Sequence, residues 1–267
     1  MPYHNVGEIE MYYEMQGNSN EYLVLVHGYT GDISDWYHQI NYFKNKYSVL
    51  AMDLRGHGLS ESPRNRSMYT RIAMGEDIIS LLKYLNINRF HIAGHSMGGG
   101  ITQYIGLRIP EKIQSITLAS SSLDIQAEED VKILSWIENR LHIAEIHGME
   151  AVANQDPIEP NTSMVPVERL QEELIRLSKM SVDSFIGISE NFKIEDGIDK
   201  EIENIKSPTL ILCGELDSET MLKNSINLSQ LITNATLSVI PEAQHSPQWE
   251  FPGLFNEILD SFLADHR

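Results

Sequence analysis

The sequence has very little cysteine, little positive charge and no long apolar run near its start. A single cysteine, Cys213, excludes an intramolecular disulfide framework and favours a reducing compartment. Because Cys213 lies inside the apolar run TLILCG, we interpret it as a small core side chain and not as a nucleophile.

Positive charge is scarce, because 20 Lys and Arg residues face 38 Asp and Glu residues, for a formal net charge of -18. A field of that sign repels phosphate backbones and anionic lipid headgroups. We therefore expect no nucleic acid and no membrane as partners, while the small-molecule substrate that we expect rests on the motifs described below and not on the charge. Acidic surfaces also aid solubility, so the charge does not identify that substrate. The oligomeric state, monomer or homodimer, stays open.

The opening residues, MPYHNVGEIEMYYEMQGNSN, contain no basic segment followed by an apolar run. The first apolar run, YLVLV, is too short for a signal core or a membrane span. We therefore expect a cytoplasmic protein. Apolar residues make up 42% and charged residues 22% of the 267 residues, which is the profile of a folded globular chain and not of a disordered one.

Short apolar runs alternate with segments of helical spacing along most of the chain. Six of these runs have the character of buried strands: EYLVLVHG, YSVLAMDLRG, RFHIAGHS, SITLASSS, PTLILCGE and ATLSVIPE. The segment IEMYYEMQG alternates polar and apolar side chains, which is typical of an antiparallel strand with one solvated face. The sequence therefore predicts an α/β fold, with a mostly parallel β-sheet of about eight strands flanked by helices.

The alternation stops between Ser122 and Pro208, where only helix-like stretches occur. A structureless loop of that length would be unusual in a compact domain, so we interpret the interval as a helical insertion. The predicted organisation is a core formed by residues 1–122 and 208–267, with a helical cap formed by residues 123–207. Since the cap lies between two strands, we expect it to cover the carboxyl edge of the sheet.

The stretch HIAGHSMGGG, residues 91–100, places one hydroxyl among four glycines, after a predicted strand and before a predicted helix. The segment GHSMG around Ser96 fits the pattern G-x-S-x-G, which in this context predicts a nucleophile elbow. A Cβ at position 94 or 98 would collide with neighbouring backbone, and Ser96 would occupy a strained turn with its hydroxyl exposed. The alternative is a glycine-rich turn that only packs closely or binds phosphate.

Two backbone N–H groups are predicted to form an oxyanion hole. The first belongs to Met97, because this residue follows Ser96 and opens a helix whose N-terminus points at the site. The second belongs to Tyr29, in the loop of LVLVHGYTGD, where Gly28 permits a tight turn. The alternative for this second segment is an ordinary glycine-containing loop.

A serine hydroxyl becomes a nucleophile near neutral pH when an imidazole accepts its proton and a carboxylate orients that imidazole. On this kind of sheet the expected chain order is Ser, acid, His. His245 follows the strand-like run ATLSVI and is the predicted general base, since the other histidines beyond the elbow lie in the insertion or next to the terminus. Asp217, after TLILCGE, is the predicted acid, and Asp124, after ASSS, is the alternative.

These motifs resemble the α/β-hydrolase family, and specifically its cap-bearing serine esterase and lactonase-like members. The resemblance rests on HGYTGD, DLRGHGLS, GHSMGG, PTLILCGELD and AQHSP, which stand in family order across nearly the whole chain. It implies that the insertion is a lid and that five residues form the site: Ser96, Asp217, His245, Tyr29 and Met97. The family often has Gly before its catalytic histidine, whereas Gln244 stands here.

The predicted function is that of a cofactor-free, metal-free serine hydrolase that cleaves a small, mostly apolar carboxylic ester or lactone through an acyl-enzyme. No His-x-x-x-His pattern stands beside Ser96, which disfavours a metal-dependent hydrolase. Because residue 96 is Ser and not Asp, the resemblance does not support a dehalogenase or an epoxide hydrolase. Two alternatives stay open, a C–C bond hydrolase of a diketone ring-cleavage product and a ligand-binding or receptor protein with a vestigial triad, because one fold supports all of them.

Overall fold

The strands join in one sheet. The computed structural model describes residues 2–121, 131–155, 165–192 and 196–267, with side chains from residue 134 onward in the second range. Within these ranges the eight strands are β1 (Tyr3–Asn5), β2 (Glu10–Gln16), β3 (Tyr22–Val26), β4 (Ser48–Met52), β5 (Phe90–His95), β6 (Ile113–Ala119), β7 (Thr209–Gly214) and β8 (Ala235–Ile240).

Helices follow most strands, as the spacing of apolar residues predicts. In the described part of the chain the α-helices are α1 (Tyr37–Phe43), α2 (Arg71–Tyr84), α3 (Met97–Arg108), α4 (Val131–Gln155), α5 (Val167–Lys179), α6 (Val182–Asn191), α7 (Glu219–Leu231), α8 (Pro247–Glu250) and α9 (Pro252–Ala264). Side-chain oxygens cap several of them. Thr70 accepts a hydrogen bond from the backbone N–H of Ala73 at the start of α2, and Ser218 does the same for Met221 at the start of α7.

The sheet order is β1-β2-β4-β3-β5-β6-β7-β8. The strand β2 runs antiparallel to both β1 and β4, and all other neighbours are parallel. The prediction of a mostly parallel sheet of about eight strands is therefore confirmed. Among the described residues, no helix has the length and hydropathy that a membrane span needs.

Both faces of the sheet are covered by helices. Along β3, Val24 and Val26 pack in one apolar cluster with Ile105 of α3, while Leu23 and Leu25 pack in a second cluster on the other face. This division follows from the two-residue period of a strand. Each such side chain contributes about 1.5–3 kcal/mol on full burial, so the doubly covered strands anchor the loops at their ends.

Between β6 and β7 the described segments contain helices and no strand. Helix α4 kinks at Gly148, where φ is 78°, and α4, α5 and α6 share an apolar cluster that includes Met149, Leu177 and Phe185. A third set of apolar side chains, separate from the two clusters on the sheet, therefore holds these helices together. The domain boundaries at 122/123 and 207/208 stay a prediction, because residues 122–130 lie outside the described ranges.

Candidate active site

Ser96 lies between β5 and α3 in a backbone conformation that few non-glycine residues adopt. Its φ is 50° and its ψ is -117°, a strained combination of the kind that concentrates at functional sites. A Cβ on Gly94 would lie 2.2 Å from the carbonyl oxygen of Gly98, and a Cβ on Gly98 would lie 2.4 Å from that of His27. The predicted steric need for glycine at both positions is therefore confirmed.

Three side chains from three strand ends meet at the carboxyl edge of the sheet. The Oγ of Ser96, after β5, lies 3.0 Å from Nε2 of His245, which follows β8. The Nδ1 of His245 lies 3.1 and 3.2 Å from the two carboxylate oxygens of Asp217, which follows β7. The structure thus brings together the three residues predicted as nucleophile, base and acid. The alternative acid, Asp124, lies outside the described residues.

The Asp217 carboxylate is suited to hold the imidazole in one tautomer. Its side chain is 3% exposed, and its Oδ1 accepts the backbone N–H of Ser218 at 2.7 Å. Burial raises the pKa of Asp217, but the His245 imidazole and the Ser218 N–H lower it by more than burial raises it. The pKa of Asp217 therefore lies below its ordinary value. The carboxylate is therefore ionised near neutral pH, His245 donates to it through Nδ1–H, and Nε2 is left to accept the Ser96 hydroxyl hydrogen.

The loop that carries His245 is held on both sides by one carboxylate. Glu250 accepts the backbone N–H of Gln244 through Oε2 and that of Ser246 through Oε1, the latter at 3.1 Å. Gln244 has no positive φ, so the position needs no glycine. The departure from the family pattern therefore leaves the catalytic loop intact.

A neutral histidine next to Ser96 supports the same loop. The Nε2–H of His95 donates to the carbonyl oxygen of His245 at 2.8 Å. Burial is the main cause that lowers the pKa of His95 to about 4, and repulsion from a protonated His245 is the second cause. His95 therefore stays uncharged near neutral pH and keeps a hydrogen on Nε2. Neither His95 nor Glu250 was predicted from sequence, since both act on backbone groups far away in the chain.

The two predicted oxyanion donors have their N–H groups available. Met97 is the first residue of α3, where backbone N–H groups lack helical partners. Within the described ranges, the N–H groups of Met97 and Tyr29 have no hydrogen-bond acceptor. The loop after β3 also lies beside Ser96, because a Cβ on Gly28 would be 3.4 Å from Cβ of Ser96. That these two amides bind an oxyanion stays a prediction.

A model of the family described as the alpha/beta hydrolase fold matches residues 21–252, which include all five predicted site residues. The chain belongs to the alpha/beta hydrolase fold family. The predicted family resemblance is therefore confirmed. The match also spans the segment between β6 and β7.

Several relatives of this alpha/beta hydrolase are themselves named as hydrolases or lactonases. It is similar to 3-oxoadipate enol-lactonase 2 of Acinetobacter baylyi, with 27% identity over 232 residues, 87% of this chain and 84% of the relative. It is also similar to a 2-hydroxy-6-oxononadienedioate/2-hydroxy-6-oxononatrienedioate hydrolase of Paraburkholderia phymatum, with 27% identity over 272 residues, 96% of this chain and 92% of the relative.

The crystal structure of the enol-lactonase from Burkholderia xenovorans LB400 superposes with a TM-score of 0.85 at 25% identity, over 98% of this alpha/beta hydrolase and 100% of that chain. The two proteins therefore share the fold over the residues that superpose. Family and relatives together support hydrolase activity for this chain.

In this alpha/beta hydrolase, four charged side chains connect α5 to the loop after β3. We call them the α5 ion-pair cluster: Asp32, Asp35, Arg169 and Arg176. Arg169 binds Asp35, and Arg176 lies 3.0 Å from Asp32 and 3.2 Å from Asp35. Burial raises the pKa of Asp35, but the two guanidinium groups bring it below its ordinary value. Arg176 also donates through Nε to the carbonyl oxygen of Thr30 at 2.8 Å.

The side chain of Tyr29 is turned towards α6 of this alpha/beta hydrolase. Its hydroxyl lies 2.5 Å from Oγ of Ser189, and its ring centroid is 5.7 Å from that of Phe185 and 5.1 Å from that of Phe192. Burial raises the pKa of the Tyr29 hydroxyl, so it stays neutral. The residue therefore contacts the inserted helices through its side chain while its backbone lies next to Ser96.

The described residues of this alpha/beta hydrolase contain no group of three His, Cys, Asp or Glu side chains that could hold a metal ion. Cys213 is buried in β7, and burial raises the pKa of its thiol. This residue is therefore a core side chain, as its apolar surroundings in the sequence indicate.

Proposed function

We propose that this protein is a cofactor-free serine hydrolase that cleaves small, mostly apolar carboxylic esters or lactones through an acyl-enzyme. The observation that carries the proposal is the hydrogen-bonded series from Ser96 through His245 to Asp217. The lactonase names among the relatives favour the ester and lactone class. A small-molecule substrate and a cytoplasmic location belong to the same proposal.

Acylation begins when Oγ of Ser96 attacks the carbonyl carbon of the substrate. His245 takes the hydroxyl proton on Nε2, and Asp217 stabilises the imidazolium that results. The carbonyl oxygen becomes an oxyanion, which accepts hydrogen bonds from the N–H groups of Tyr29 and Met97. The C–O bond to the leaving group then breaks, and His245 returns its proton to the departing oxygen.

Deacylation repeats these steps with water as the nucleophile. His245 takes a proton from the water molecule while the water oxygen attacks the acyl carbon. The bond between the acyl carbon and Ser96 Oγ then breaks, and His245 returns the proton to Oγ. An ester yields an acid and an alcohol. A lactone yields one hydroxy acid, because its leaving oxygen stays tethered to the acyl group. Neither half-reaction requires a cofactor.

The variant Ser96→Ala tests this proposal on a p-nitrophenyl ester of a short acid. We expect turnover to fall by at least about 1,000-fold, because removing the nucleophile leaves only binding and oxyanion stabilisation. Ser229→Ala is the matched control, since it removes the same atom from a half-buried position on α7, where the hydroxyl donates to the carbonyl oxygen of Ile226. Undiminished turnover by Ser96→Ala would refute the mechanism.

A fluorophosphonate probe separates an enzyme from a binding protein with a vestigial triad. The probe phosphonylates an activated serine without requiring turnover. We expect rapid labelling of the wild type and of Ser229→Ala, and none of Ser96→Ala. A wild type that resists the probe would favour the binding-protein alternative.

Hydrolysis of a carbon–carbon bond is a second candidate, because the similar protein of Paraburkholderia phymatum is named as a hydrolase of 2-hydroxy-6-oxononadienedioate and 2-hydroxy-6-oxononatrienedioate, and neither name is that of an ester or a lactone. The same three side chains serve both reactions on this fold. A panel of short esters, lactones and ring-cleavage diketones distinguishes them through kcat/KM. A preference for diketones of more than about tenfold, which corresponds to 1.4 kcal/mol in the barrier, would favour the second candidate.

A further inference from the structure

The carbonyl oxygen of Gly28 is held by two donors. Nδ1 of His27 lies 2.7 Å from it, and the backbone N–H of Gly31 donates to it at 3.1 Å. Since a carbonyl oxygen has two lone pairs, its acceptor capacity is filled. Gly28 is the residue whose backbone lies beside Ser96 and directly precedes Tyr29.

The tautomer of His27 follows from its other ring nitrogen. The backbone N–H of Leu54, just after β4, donates to Nε2 of His27 at 3.0 Å. A nitrogen that accepts a hydrogen bond carries no hydrogen, so the hydrogen of the neutral imidazole is on Nδ1. The ring is fully buried, and Nδ1–H therefore donates to the Gly28 carbonyl.

Fixing that carbonyl also fixes the direction of the next N–H group. The peptide bond between Gly28 and Tyr29 is planar and trans, so its C=O and N–H point in opposite directions. When His27 and Gly31 hold the oxygen on one side, the Tyr29 N–H must point to the other. That N–H has no acceptor in the part of the chain that the structure describes.

We propose that His27 is a positioning residue, whose Nδ1–H holds the Gly28 carbonyl and thereby aims the Tyr29 N–H at the oxyanion. The inference rests on the proposed function, because it concerns the transition state of acyl transfer. His27 touches neither substrate nor reacting atoms in this role. The hydrogen bond from His27 fixes the direction of the Tyr29 N–H before the substrate binds. Oxyanion donors lower the activation barrier most effectively when they are preorganised in this way.

Two variants separate the two hydrogen bonds of His27. In His27→Asn the side-chain NH2 can occupy the place of Nδ1, so the bond to Gly28 is kept while the bond to Leu54 is lost. In His27→Gln the side-chain oxygen can reach the place of Nε2, so the bond to Leu54 is kept while the donor to Gly28 is lost. Both variants therefore place a carboxamide at position 27, but each preserves the hydrogen bond that the other loses.

We expect kcat for a p-nitrophenyl ester to fall about 10- to 100-fold in His27→Gln, less than the loss on removing an oxyanion donor outright, which is about 100- to 1,000-fold. KM should stay within about threefold, because the donor acts in the transition state and not on the bound ester. The variant His27→Asn should keep kcat within about threefold of the wild type. Melting temperatures of both variants show whether a loss of activity reflects unfolding.

Three results would overturn the inference. The first is an unchanged kcat in His27→Gln, and the second is an equal loss in both variants at equal melting temperature, which would assign the effect to the bulk of the ring. The third comes from a crystal structure of the wild-type phosphonate adduct, in which the phosphoryl oxygen should bind Tyr29 N while Gly28 O stays bonded to His27. An adduct with that carbonyl turned away from His27 contradicts the proposal even if neither variant folds.

The Ser96→Ala variant shows which proposal has failed. Full turnover in Ser96→Ala refutes the serine mechanism itself. If Ser96→Ala is inactive and His27→Gln behaves as the wild type does, only the role of His27 is refuted.

Discussion

Replacing Asp217 by Asn should invert the tautomer of His245 without changing the shape of the site. The two side chains have the same size, which matters because the Asp217 side chain is only 3% exposed. The Ser218 N–H donates to Oδ1 at 2.7 Å, so the amide oxygen of the variant should stay there. Its NH2 group then faces Nδ1 of the imidazole, across a distance that is 3.1 Å in the wild type.

An N–H group facing Nδ1 makes that nitrogen an acceptor and moves the imidazole hydrogen to Nε2. Nε2 lies 3.0 Å from Oγ of Ser96 and can then only donate to it, so the general base is lost. In serine proteases the same change lowers kcat about 10,000-fold. We expect a loss of that order here, which corresponds to about 5 kcal/mol in the activation barrier.

Steady-state hydrolysis of a p-nitrophenyl ester at about pH 7.5 measures this effect. Glu215→Gln is the control, because it removes one negative charge from the same loop at an exposed carboxylate whose Oε2 accepts the N–H of Glu242 at 3.2 Å. It should alter kcat by less than about twofold, as surface substitutions usually do. The reasoning is wrong if the Asp217→Asn variant, still folded, retains more than about a tenth of the wild-type kcat, a barrier change below 1.4 kcal/mol.

Two further predictions concern the loop that carries His245 and the pH dependence of stability. Glu250→Gln turns an NH2 group towards the N–H of Gln244 or Ser246, so the free energy of unfolding measured in urea should fall by about 1–3 kcal/mol and kcat should fall as well. Glu257→Gln, at an exposed position, should change neither. An unaltered kcat in Glu250→Gln would contradict the role of Glu250 in holding the loop of His245. Burial lowers the pKa of His91 to about 4, as it does for His95. Both imidazoles stay neutral in the folded protein, whereas in the unfolded chain each of them binds a proton below about pH 6.5. Between about pH 6.5 and pH 4, each histidine therefore lowers the free energy of unfolding by up to about 1.4 kcal/mol for every unit by which the pH falls. Urea unfolding between about pH 6.5 and 4.5 should show a shallower dependence for His91→Gln, and an identical slope would count against a neutral buried His91.

The sequence was sufficient to predict most of the sheet and the meeting of Ser96, His245 and Asp217, because each of the three residues follows a run with the character of a strand. Parallel strands bring their carboxyl ends to one edge, so chain order alone carries spatial information there. Strand β1 was missed, since Tyr3–Asn5 contains no apolar run and is ordered by pairing with β2.

The residues that support the site could not be predicted from the sequence. His27 and His95 act on carbonyl oxygens and Glu250 on amide hydrogens. Every residue except proline offers such backbone groups, so no side-chain pattern marks the partner. In the same way, Arg169 looks like an ordinary helical charge in the sequence, and only the fold shows that it lies over the Trp249 ring, with its guanidinium 4.5 Å from the centroid.

The α5 ion-pair cluster limits how this protein can acquire a new specificity. Asp35 is 8% exposed and depends on Arg169 and Arg176 to remain charged. Replacing α5 by a helix without these two arginines would leave the Asp35 carboxylate buried without a cationic partner, which would lower the free energy of unfolding by several kcal/mol. The same replacement would release the Thr30 carbonyl, one residue after Tyr29. Helix α5 is therefore not an interchangeable module, and any redesign of this helix has to include the loop after β3.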